Sequence, residues 1–199
     1  MSAINFQQGF ALFEMALTCS IIFVYLLQHY LSATLSIQQR SLIMVVPIVL
    51  LLFPFSMIGL PVQLPLVAYI RGVFGELSMV TTLLLWSHFF MTRPARVPVI
   101  FKVGVVITAL LFYPLALGLS MLDPYAWGYG SVFFILIVAG VAGYFWWIKW
   151  EQGAIIIALA ILCWSFSLHE STNLWDYLLD PILFIGCLAL LIMARVRSA

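Results

Sequence analysis

GSVFFILIVAGVAGYFWWI, residues Gly130 to Ile148, decides the fold. It carries no charge and lacks the polar/apolar alternation of a barrel strand; at a rise of about 1.5 Å per residue it reaches roughly 28 Å, close to the thickness of a bilayer's hydrocarbon core. At its far end, Trp146, Trp147 and Trp150 stand beside Lys149 and Glu151, as expected where a span meets a membrane interface. Ala139 and Gly143, four residues apart, offer a small-residue step for close approach of another helix.

Runs of the same kind fill the chain on both sides. They cover Gly9–Leu31, Ser41–Leu60, Leu66–Met91, Pro98–Leu122, Gly153–Leu168 and a last stretch from Tyr177 or Pro181 to Ala194. Over 199 residues the chain is 65% hydrophobic and 8% charged, with a mean hydropathy of +1.19, far from the composition of soluble domains. The predicted fold is all-α: a polytopic transmembrane helix bundle of about seven spans, with six possible, forming a single integral membrane domain over residues 1–199. Pro47 and Pro54 are expected to kink the second span, Pro61 and Pro65 to stiffen the connector after it, and Thr92-Arg93-Pro94 to stop the third. Pro114 lies inside the fourth span, which ends at Asp123-Pro124, and Tyr125, Trp127 and Tyr129 then read as an interfacial aromatic belt. Cys19, Cys163 and Cys187 fall in apolar runs and read as packing residues. The opening MSAINFQQG has no basic segment, so Gly9–Leu31 reads as a retained span rather than a cleaved signal.

Basic residues set the orientation. With the N-terminus outside and the C-terminus cytoplasmic, Arg40, Arg93, Arg96, Lys102, Lys149, Arg195 and Arg197 lie inside and Arg71 alone lies outside. The acids gather oppositely: Glu14, Glu76, Asp123, Glu170, Asp176 and Asp180 fall toward the outer side, and Glu151 toward the inner. The expected location is the bacterial cytoplasmic (inner) membrane, and the outer half is where chemistry is expected.

That half contains Leu168 to Pro181, LHESTNLWDYLLDP, the polar island of the chain. On a helix, His169, Asn173, Asp176 and Asp180 would form one stripe, being spaced by four, three and four residues. Such a stripe suits a cationic group, a metal or a lipid headgroup, or simply meets water while Leu174, Trp175, Leu178 and Leu179 meet lipid. His169-Glu170-Ser171-Thr172-Asn173 begins like a zinc-binding H-E-x-x-H helix, but Asn173 replaces the second imidazole and no metal is predicted. Asp180-Pro181 also reads as a helix cap with proline at the first helical position; Asn173 and Ser171 are further caps.

Measured back from Arg93, Glu76 would lie about 25 Å up, just inside the outer edge of the core. On one continuous helix Arg71 and Glu76 would diverge by roughly 140° and should not pair, so Arg71 is expected to bridge to Asp176 or Asp180. Glu14, Arg71, Asn173, Asp176 and Asp180 are thus candidate binding residues, and Glu76, His169 and Glu170 candidate acid/base groups. His29 and His88 are the pair that a haem would require, although snorkelling polar ends explain them and no cofactor is predicted. Arg93, Arg96 and Lys102 form a basic patch suited to anionic lipid.

The chain lacks a phosphate-binding glycine loop, a nucleophile elbow and any sign of nucleic-acid recognition. The leading expectation is a non-catalytic accessory or assembly subunit acting with a partner at the outer face. The expected partners are membrane lipids and either a membrane protein or a second copy of the chain. The alternative is a small membrane-embedded enzyme acting on a lipid or lipid-linked substrate at the outer leaflet, followed by a transporter, for which a midplane charge and an internal repeat are lacking.

Overall fold

A computed structural model describes residues 6–31, 35–56, 63–91 and 95–198. The Thr92-Arg93-Pro94 stop, the end of the expected second span and Pro61 lie outside the described residues, as does the side chain of Arg197. The described chain is all-helical but for one short hairpin, with nine α-helices. Two of them, α1 (Phe6–Leu31) and α5 (Val99–Ala116), are long and apolar enough to cross a membrane. The other apolar helices of the expected spans, α2 (Ile37–Leu52), α4 (Met79–Phe90), α6 (Val132–Trp147), α7 (Glu151–Ser165) and α9 (Pro181–Ser198), fall short of that test. The helices group into two compact units, residues Met1–Glu76 with Leu85–Pro94, and Leu77–Leu84 with Ala95–Ala199.

In the first unit α1 packs on α2 and on α3 (Leu66–Phe74). Leu17, Ile21 and Val24 recur at helical spacing along α1 and close a core with Met44 and Phe89. Hydroxyls inside α1 turn back on their own helix: Thr18 Oγ1 donates to the Glu14 carbonyl (2.9 Å) and Ser20 Oγ to that of Ala16 (2.6 Å). Thr18 Oγ1 also accepts from Trp86 Nε1 at 3.0 Å. Ser36 and Gln39 start α2 with a reciprocal capping box. Pro47 is accommodated inside α2. Pro54, expected to kink that span, instead ends it: the residue before a proline is driven out of helical geometry, and Phe53 is extended. Strands β1 (Pro54–Ser56) and β2 (Gln63–Pro65) then pair antiparallel.

The expected third span is two helices. Gly75 adopts φ 73°, ψ −166°, a region open essentially to glycine, and α3 stops at Phe74. Ser78 then opens α4, its Oγ accepting from Thr81 N–H at 3.2 Å.

In the second unit α5 packs on α9, α6 on α7, and the five-residue α8 (Leu174–Leu178) on α7. Three of these helices end in the same way, the two residues after the cap returning their N–H groups to the last turn: α5 at Gly118, α6 at Lys149 and α7 at Ser167, each with positive φ. Trp150, expected at the interface with Trp146 and Trp147, is a core residue at 4% exposure, because the reversal at Lys149 folds it back against Phe101 and Phe145. Ala95 N–H donates to Gln152 Oε1 at 3.0 Å, bringing the start of α5 to the start of α7. Charge therefore segregates within this unit. Arg96, Lys149 and Glu151 share the end where α5 and α7 begin, whereas Asp123, Glu170, Asp176 and Asp180 lie in the connections at the other.

Candidate functional site

The polar island is a knot of hydrogen bonds joining the connection between α5 and α6 to that between α7 and α9. The knot starts with a failure of helix: residues 166–173 are irregular, so the zinc-like spacing at His169 and the expected four-residue stripe have no helical face to lie on. Only α8 is helical here, and Leu179 leaves it extended. Leu174, Tyr177 and Leu179 are buried, which corrects the picture of an amphipathic turn resting on lipid. Where a backbone this irregular is buried, it needs side chains to complete its hydrogen bonding.

Those side chains are the ones the sequence singled out, with others that it did not. Asn173 caps α8, its Oδ1 accepting from Trp175 N–H at 2.9 Å, while its Nδ2 donates to the Tyr125 carbonyl at 2.8 Å. Gly128 makes room for this: a Cβ there would lie 1.7 Å from Asn173 Oδ1. Asp176 Oδ2 accepts from Tyr125 Oη at 2.9 Å and from Ser171 Oγ, which itself accepts from Asn173 N–H at 3.0 Å. Burial and the Asp176 hydrogen bond push the Tyr125 phenol above its ordinary pKa, so it serves as a lasting donor.

His169, at 1% exposure, lies stacked on Tyr177 with ring centroids 4.6 Å apart. Its backbone N–H donates to Tyr177 Oη (2.9 Å), which in turn donates to the Ser171 carbonyl (3.1 Å). Trp175 lies between Phe112 and Phe134, each centroid 4.4 Å away, and its Nε1 donates to the Pro124 carbonyl at 2.9 Å. Asp180 works on two segments: Oδ1 accepts from Leu183 N–H at 2.6 Å, capping α9, and Oδ2 accepts from Ser78 N–H at 2.7 Å. The caps expected at Asp180 and Asn173 are present, whereas Ser171 caps no helix and instead closes a turn ahead of α8, accepting from Asn173 N–H.

No family model matches the chain, and no curated protein or solved structure matches it. Its chemistry is therefore read from its own residues.

The remaining candidates fall in the first unit. Arg71 pairs with Glu76, the pairing that one continuous helix forbids; the break at Gly75 removes the helical phase between them and lets the chain turn back. Both side chains are about four-fifths covered. The bridge expected from Arg71 to Asp176 or Asp180 would join the two units; the partners of these carboxylates within their own unit are those given above. Glu14 is buried on α1, His29 is exposed with its ring against Tyr30, and His88 is half-buried on α4. Glu170 is exposed. Among the described residues, no three His, Cys, Asp or Glu side chains gather closely enough to hold a metal ion.

Of the expected aromatic belt, Trp127 and Tyr129 are exposed, while Tyr125 turns inward to Asp176. Tyr125, Tyr177 and Gly128 were not legible as parts of this site. Tyr125 and Asp176 are 51 residues apart, and no local spacing announces such a pair.

Proposed function

We propose that this chain is a multi-pass protein of the bacterial cytoplasmic membrane, with seven spans, its N-terminus outside and its C-terminus cytoplasmic. It works as a non-catalytic accessory or assembly subunit beside a partner at the outer face. The observation that carries the non-catalytic reading is the commitment of the polar island to structure. Asn173, Asp176 and Asp180, the residues best suited to grip a ligand, each complete the hydrogen bonding of a segment end or an aromatic partner. A carboxylate whose two oxygens each accept from a backbone N–H cannot change geometry without loosening the fold. The large apolar side chains exposed along α2, α5 and α6 support the membrane reading, since lipid or a partner has to cover them.

The test is purification of the full chain from its native membrane in mild detergent. A second protein at fixed stoichiometry is the expected result, retained in a Glu76→Ala/His169→Ala variant that still folds. A lone particle whose cellular activity disappears in that variant would overturn the proposal in favour of the lipid-directed enzyme. Orientation is tested separately with a cysteine at Asp123 and an impermeant thiol reagent; labelling only after lysis would reverse the topology.

A further inference from the structure

The second unit contains an apolar cleft of about 260 Å³, lined mainly by α5, α6 and α8, with Val80 of α4 and Ile157 of α7. Gly104 and Thr108 of α5 face Ile137 and Val141 of α6 across it, and Thr108 is its one hydroxyl-bearing wall residue. From Ile100 to Thr108 it follows α5 for about 12 Å, the length of a piece of acyl chain. Trp175 and Leu179 line it toward the acidic end, Phe101 and Phe145 toward the basic end.

The basic end has the features of a headgroup site. Arg96 and Lys149 are both exposed there, gathered by the Ala95–Gln152 hydrogen bond and by the turn after α6; with Glu151 between them the net charge is positive. Lys102, close to Cys187 of α9, adds to it. Between these cations and the apolar walls sits Trp150, packed on the cleft residues Phe101 and Phe145. Its Nε1 is buried and has no hydrogen-bond partner among the described residues. Gly153 lets α7 lie close against this indole, since a Cβ there would fall 2.2 Å from its Cε3 and Cζ3.

We infer that this cleft binds one acyl chain of an anionic phospholipid, with the phosphate held by Arg96 and Lys149. Basic charge at one end and apolar walls along the rest favour this occupant over a protein segment. The inference rests on the membrane reading given above and adds a ligand to it.

The test uses the full chain, delipidated in detergent and titrated with dioleoyl phosphatidylglycerol or dioleoyl phosphatidylcholine, with bound lipid counted by native mass spectrometry. One phosphatidylglycerol adduct is expected, tighter than phosphatidylcholine by about tenfold or more, the order expected for two basic groups at a lipid surface. Arg96→Gln/Lys149→Gln should reduce that preference to within about twofold. Gly104→Leu should abolish the adduct while folding normally, because nothing lies within 4 Å of a Cβ at that glycine. Equal binding of the two lipids, or an undiminished adduct in Gly104→Leu, would overturn the inference. A chain that needs detergent yet binds no lipid refutes the cleft proposal alone; one that stays soluble and monodisperse without detergent refutes the membrane reading as well.

Discussion

Asp180→Ala should be among the most damaging single changes in the second unit. Its carboxylate accepts from Leu183 N–H at 2.6 Å and from Ser78 N–H at 2.7 Å, and Ser78 is wholly buried. Losing the cap of α9 costs about 1 kcal/mol. Leaving the buried Ser78 N–H without an acceptor costs about 1–3 kcal/mol more. The sum, about 2–4 kcal/mol, corresponds to a fall in melting temperature of roughly 4–15 °C for a chain of this size. Two further variants separate the terms. Asp180→Ser restores the cap without reaching Ser78, and should recover about 1 kcal/mol. Asp180→Asn keeps one acceptor oxygen but sets an amide N–H against the other donor, and should fall between wild type and alanine. The assay is thermal unfolding in detergent, followed by circular dichroism. An Asp180→Ala protein within about 0.5 kcal/mol of wild type, the range of ordinary surface changes, would refute the double-cap argument.

Three other perturbations test the geometry. Gly128→Ala must displace Asn173, and should destabilise by about 1–3 kcal/mol in the wild-type background but markedly less in Asn173→Ala, a coupling measured by a double-mutant cycle. Gly75→Ala forces a side chain into a glycine-only backbone region and should cost about 1–3 kcal/mol. Gly72→Ala, a turn earlier inside α3 and in open space, should instead gain about 0.5–1 kcal/mol; equal effects in unfolding assays would mean that the break at Gly75 is not built in. The Tyr125 phenol is held above its ordinary value of 10.0, so its contribution is complete below pH 10 and declines as pH rises toward the higher folded value. Tyr125→Phe should flatten that alkaline decline in stability, and spectrophotometric titration should show one fewer late-ionising tyrosine.

The apolar runs were legible because a helix in lipid and a buried helix obey the same rule, and each run contains a helix. The caps were legible too: Asp180-Pro181 and Asn173 act within three residues of themselves, where spacing is informative. Gly75 was not. A glycine inside an apolar run weakens a helix by only about 1 kcal/mol, so the run Leu66–Met91 gave no reason to expect a break, and the phase argument separating Arg71 from Glu76 failed with it. Trp150 departs from its expected interfacial place for a related reason. Tryptophans beside Lys149 and Glu151 read as interfacial, but the left-handed Lys149 reverses the chain and carries the third ring inward, and a lysine at such a position gives no sequence warning.

The concentration of polar residues in one short stretch follows from the backbone it serves. Residues 166–173 leave α7 without entering another helix, so their carbonyls and N–H groups have no ladder to complete. Three of the side-chain donors here go to carbonyls: Trp164 Nε1 to Thr172, Tyr177 Oη to Ser171 and Asn173 Nδ2 to Tyr125. The acceptors Asp180, Asn173 and Ser171 go to N–H groups in complementary fashion. Donor types thus meet acceptor backbone, and acceptor types meet donor backbone, whereas a catalytic or metal site would turn several like groups toward one empty point. The composition that made LHESTNLWDYLLDP stand out is what an irregular crossing between α7 and α9 requires. A partner at this face would therefore meet a surface whose shape is held by the knot and whose exposed charges include Asp123 and Glu170.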